Sequence, residues 1–143
     1  MTLTSIHESV VGYFRWNLAP EIRSWLNAVL PDVCVRPSGN TTKTLTHVDW
    51  RQSFNKEADE GLFIWSTEAG NYGYCPTMVV EVGYSETQNE LENDAWKWLW
   101  GSEGEVKSVV LIKLIKPSSP SDFGDATKWR GYLEIHIRAE NLK

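Results

Sequence analysis

Cysteine is scarce: the 143-residue chain has two, Cys34 and Cys75. They form no CxxC pair and have no neighbouring histidine, which excludes a zinc site of ordinary spacing and a disulfide-framed scaffold. Two free buried thiols in a reducing compartment are expected, with one disulfide as the alternative. Long apolar runs are missing too, since no stretch approaches the ~18 residues of a membrane span. The opening MTLTSIHESVVGYFRW lacks the basic flank and long apolar core of a signal peptide. The expectation is an intracellular protein, cytoplasmic or nuclear, with no membrane partner. Basic excess is also lacking: a net charge of −5 argues against broad, non-specific affinity for phosphate backbones, while leaving room for a locally basic cleft.

What the chain does have is tryptophan, eight in all. Its length suits one domain, since domains cluster near about 100–150 residues. Ser5 and Glu8 read as a capping box opening a helix with Ile6, Val10, Val11, Phe14 and Trp16. Pro20 starts a second helix, where Ile22, Trp25, Leu26, Val29 and Leu30 follow the spacing of a buried stripe until Pro31. After the turn-rich RPSGN, the segment TTKTLTHVDW alternates as a strand wet on one side. ADEGLFIWS and PTMVVEVG read as two more strands, the three side by side in a meander.

From Thr87 the period changes. Thr87 with Glu90 offers a capping box, and Gly101 stops the helix that follows. VKSVVLIKLI is apolar enough for a strand covered on both faces, and WRGYLEIHIR alternates as a half-exposed one. The fold class expected is α/β, a mixed five-stranded sheet flanked by helices, its parallel step lying across the helix between the third and fourth strands. One domain, 1–143, divides into N-terminal helices 5–30, a motif-bearing core of about 43–116 and a C-terminal strand 129–138.

The chemistry concentrates in PTMVVEVGYSET, where Glu81 interrupts an apolar strand. A buried ionised carboxylate must be neutralised, paired or given a cation. Glu81 shares a strand face with Thr77, Val79 and Gly83. Asp59, in KEADEGLF, stands where the preceding strand begins. If those strands are neighbours, the two acids approach one another, an arrangement that a divalent cation between them relieves.

An Asp at the mouth of one strand, a hydrophobic strand carrying Glu, then a helix and another apolar strand resembles the PD-(D/E)XK superfamily, the restriction-endonuclease-like fold. The likeness is to its small single-domain endonuclease-like branch and covers roughly residues 45–115. The resemblance implies a core order of helix, three strands, helix, strand, and phosphodiester hydrolysis with Mg²⁺ or Mn²⁺. It makes Asp59 and Glu81 metal ligands, with the backbone carbonyl of Val82 as a third oxygen. At the position of the motif lysine this chain has Gly83, which supplies neither a cation nor a base. Lys56 is the candidate replacement as a catalytic group; Lys97 lies about 120° from the stripe of Leu91, Ala95 and Trp98 and is a poor one.

Each residue also has a plain structural reading. Glu81 would pair with Lys43, Lys113 or Arg51, Asp59 would start a turn with Glu60 and Gly61, and Glu8 would be only a capping acid. Gln52 and Glu86 are supporting groups or surface residues, and His7, His47 and His136 have no assigned role. Trp96 and Trp100 lie at about 140° and 180° from Leu91 on the helix and should face outward, where they cover a partner, stack a base or lie under the N-terminal helices or a loop. Three functions follow: a metal-dependent nuclease-like domain, intact or degenerate through Gly83; an inactive nuclease-fold module binding a protein partner or forming a homodimer through Trp96 and Trp100; and nucleic-acid binding without cleavage.

Overall fold

The computed structural model describes residues 3–40 and 42–139. The chain runs α1 (Leu3–Tyr13), a π-helical turn (Phe14–Leu18), α2 (Ala19–Val29), β1 (Val33–Pro37), β2 (Thr42–Leu45), β3 (Phe54–Glu57), β4 (Glu60–Ser66), β5 (Met78–Gly83), α3 (Gln88–Gly101), β6 (Ser108–Ile115) and β7 (Arg130–Ile137). Five strands form a mixed sheet in the order β1-β4-β5-β6-β7, and β2 pairs with β3 in a separate two-stranded ribbon. The β5–β6 pair is parallel and is spanned by α3, as expected of a strand–helix–strand crossover; every other pair is antiparallel.

Alternation along β5 and β6 divides the core. Val80, Val82, Val110 and Leu114 point to one face, where Ile6, Val11, Phe14 and Ala19 of the N-terminal helices cover them. Val79, Val109 and Leu111 point to the other, against Leu91, Ala95, Trp98 and Leu99 of α3. The capping box that starts α3 is present as expected: Thr87 Oγ1 accepts from Glu90 N and Glu90 Oε2 accepts from Thr87 N.

Four expectations are corrected. Segment 42–45 is not a strand of the main sheet. The place beside β4 is taken by Val33–Pro37, a strand the sequence hardly announces because only four residues separate Pro31 from the RPSGN turn; Val35 drives it into the core. The β2–β3 ribbon instead folds onto the end of α3, with Leu45 fully buried and Thr46 N bonded to the carbonyl of Gly101 at 2.9 Å. A Cβ on Gly101 would lie 2.5 Å from the Trp50 ring and 2.7 Å from Leu45 Cβ, so this close approach requires glycine.

Ser5 lies inside α1, not at its cap, because the helix begins by Leu3. Nor does Pro20 restart the chain. Proline cannot donate to the carbonyl four residues back, and the helix continues through it by widening: Ala19 N bonds Phe14 O, a five-residue reach. Finally, the α2 stripe is only partly buried. Ile22 and Leu26 pack on the core, whereas Trp25, Val29 and Leu30 are exposed, as is Trp16.

Candidate acidic site at the end of the sheet

The β4–β5 ladder runs from Leu62 opposite Met78 to Glu60 opposite Val80 and stops, because the chain arrives there from the diverging β3 ribbon. Asp59 fills the vacancy: its Oδ2 accepts the Val82 N–H at 2.7 Å, standing in for the strand carbonyl that is missing. Its other oxygen lies 3.2 Å from His7 Nε2, brought across by α1. One turn of chain therefore places a carboxylate against the next strand, and a backbone need holds it there.

Glu81 is buried on the α3 side of β5, where its Oε1 accepts the Trp98 indole N–H at 2.6 Å. Among the described residues no donor reaches Oε2. Burial pushes the Glu81 carboxyl up to about 8; the Lys56 charge and the Trp98 hydrogen bond oppose that rise, while Asp59 and Asp94 add to it. At neutral pH the neutral acid dominates, the cheapest of the three solutions open to a carboxylate in an apolar strand. Lys56 Nζ is held 2.9 Å from Asp94 Oδ2. The other oxygen of Asp94 is 3.8 Å from Lys97 Nζ, which lies 4.6 Å above the centre of the Phe54 ring.

Asp59, Glu81, Lys56 and the Val82 backbone are thus brought into one neighbourhood. Lys43, Lys113 and Arg51 are not partners of Glu81: Lys113 Nζ donates to the carbonyls of Tyr84 and Glu86, Lys43 stands over the Tyr74 ring, and Arg51 lines an open pocket with Gln52. Glu8 is exposed, with its oxygen 3.5 Å from His7 Nδ1. Glu86 serves its own turn, accepting from Tyr84 N. A Cβ at Gly83 would lie 2.7 Å from buried Leu91 Cδ2, so a lysine stem at this position meets the packing of α3.

No family model, characterised protein or solved structure matches this chain. Its residues alone carry the reading.

Three members of the site were missed in the sequence. Asp94 stands one turn before Trp98, about 60° from Leu91 on the helical wheel, so a carboxylate at the edge of a buried stripe was visible. His7 shares the phase of Val11 and Phe14, a polar residue on an apolar face. Trp98 was read as core, which it is, but its N–H also had to find an acceptor. The outward pair on α3 splits: Trp96 is 44 % exposed, whereas Trp100 is half-buried under the Arg138 guanidinium, 4.1 Å from its ring centre, and beside His47.

Proposed function

We propose that this chain is a divalent-metal-dependent nuclease-like domain of the PD-(D/E)XK kind, hydrolysing phosphodiester bonds, with Asp59 and Glu81 as metal ligands and Lys56 in place of the motif lysine. The observation that carries it is that Asp59 Oδ2 accepts the Val82 N–H at 2.7 Å, one residue along β5 from Glu81, with the Lys56 and Asp59 charges both acting on the Glu81 carboxyl. The order helix, β1, β4, β5, α3, β6, with β5 and β6 parallel, supports it, being the core order of that fold.

The residues fit such an ion. Among the described residues no three His, Cys, Asp or Glu side chains converge into a complete cage, but Mg²⁺ is ordinarily held by about one or two carboxylates with water and substrate phosphate completing its shell. Glu81 keeps one oxygen undonated for this purpose, and Trp98 fixes the other. When bound, Mg²⁺ or Mn²⁺ polarises the scissile phosphate and lowers the pKa of an attacking water. Glu81 must lose its proton to act as a ligand, so binding strengthens as pH rises toward 8. Lys56, anchored by Asp94, offsets phosphate charge from beside the acids.

Incubation with labelled single- and double-stranded DNA and RNA in Mn²⁺ tests the proposal. Cleavage is expected in the parent, a loss of roughly a hundredfold or more in Asp59→Ala and Glu81→Ala, and a smaller loss in Lys56→Ala. Cleavage that survives both acidic substitutions would place the activity elsewhere.

Two observations favour the inactive-module reading: the motif-lysine position is packed against Leu91, and Lys56 is already paired with Asp94. In that reading Trp96 is the contact residue. It forms, with Trp50, Arg51, Gln52 and Phe54, an open aromatic pocket of about 440 Å³ suited to a partner side chain or a stacked base. Mn²⁺ that raises the melting temperature without any cleavage would select it.

A further inference from the structure

The two edges of the main sheet are built differently. β1 is five residues long, ends on Pro37 and follows Pro31, features that keep a strand edge from pairing further. β7 is eight residues long, contains neither proline nor lysine, and pairs only with β6; among the described residues no strand lies beyond it. Its apolar face is open as well: Leu133, Ile135 and Ile137 are 55, 66 and 44 % exposed, although they sit opposite Ile112, Val110 and Ser108 on the face that the N-terminal helices cover farther along the sheet. A free edge with an aliphatic stripe is a template for another strand.

We propose that a second copy of this chain occupies it, β7 pairing antiparallel with β7 about a twofold axis at Ile135, so that the two five-stranded sheets become one. The strand's own sequence is self-complementary, and of the registers centred on Leu133, Glu134 and Ile135 it favours the last. A twofold through a residue of one face keeps like faces together, so odd positions oppose odd and even oppose even. Centred on Ile135, the pairing sets Ile135 against itself, Leu133 against Ile137, and Glu134 against His136, in each case twice or symmetrically. Centred on Glu134, it would oppose two glutamates and set Arg130 against Arg138. Centred on Leu133, it would set Gly131 against Ile135 and Arg130 against His136, losing both the aliphatic pairing and the match of Glu134 with His136. Cross-strand aliphatic pairs and opposite charges stabilise a ladder, and like charges directly opposed destabilise it. Within one copy the Glu134 carboxylate already lies 2.9 Å from His136 Nε2, so the two groups are on the correct face and close to the axis. This interface stands apart from the acidic site and does not depend on the reaction carried out there.

Sedimentation equilibrium of the full chain at micromolar concentration tests it. The expected mass is twice 16.3 kDa. Ile135→Lys should reduce it to that of one chain with an unchanged circular-dichroism spectrum, because the replaced side chain is exposed. His136→Glu, which opposes two acids, should weaken the dimer several-fold, and the exchanged pair Glu134→His/His136→Glu should restore it. A single-chain mass for the parent overturns the proposal, as does a dimer that persists in Ile135→Lys. An exchanged pair no tighter than His136→Glu overturns the register.

Discussion

Arg15→Met is expected to destabilise the folded chain by about 2–4 kcal/mol, read as a lowered urea midpoint with an unchanged slope. Glu60 is fully buried opposite Val80, on the face of the sheet that carries the N-terminal helices. Its Oε2 takes Arg15 Nε at 2.5 Å, and its Oε1 takes the backbone N–H groups of Gly39 at 2.7 Å and Gly61 at 3.0 Å. Methionine preserves most of the arginine's apolar stem but leaves the carboxylate without its cation. Breaking a fully buried pair costs about 3–5 kcal/mol; solvent reaches Arg15, which lowers the figure here. The companion Arg15→Met/Glu60→Gln should recover most of the loss, because glutamine keeps the acceptor for Gly39 and Gly61 and removes the charge. Full stability in the single variant would show that Glu60 is held by its backbone donors alone.

The second large effect is a pH dependence centred on Glu81. Its carboxyl rises from an ordinary 4.5 to about 8 on folding, chiefly through burial. Between those values the native state binds more protons than the unfolded chain, so stability falls as pH rises, by at most about 1.4 kcal/mol per unit for one group. The loss is complete above pH 8 and absent below 4.5. Glu81→Gln remains neutral throughout. Thermal melts of parent and variant should therefore coincide near pH 4.5, diverge steadily up to about pH 8 and keep a constant gap above it, with the variant the more stable. Mn²⁺ should narrow the gap at pH 9 by stabilising the parent alone, as a ligand that binds only the native state does. Parallel melting curves across the whole range would contradict burial as the dominant cause.

Much of the frame was legible because it is written in short-range signals. The α3 capping box, the unbroken apolar run of β6 and the alternation of β7 each fix an element by local chemistry, and a strand–helix–strand order implies the parallel step. Pairing partners were less legible. TTKTLT and VCVRP are both plausible neighbours for β4, and only tertiary packing, with Val35 entering one core and Leu45 the other, distinguishes them. Within the site, Asp59 and Glu81 could be placed because an acid in or beside an apolar strand is conspicuous. The partners of those acids could not: Trp98, His7 and Asp94 come from two helices on opposite faces of the sheet, and no spacing in the chain announces that they converge.

The widened turn at Phe14–Leu18 decides which change of length this chain can absorb. Relative to a regular helix it holds one surplus residue, and each residue of helix turns the following side chains by about 100°. Excising Asn17 would let the turn tighten into a regular one, and because the bulge already absorbs the surplus residue, Ile22 and Leu26 would keep nearly the same phase over the strands they cover, as would Ile6 and Val11. The bulge thus keeps the two halves of the long N-terminal helix in phase, and a one-codon deletion within it is the length change this helix absorbs most easily.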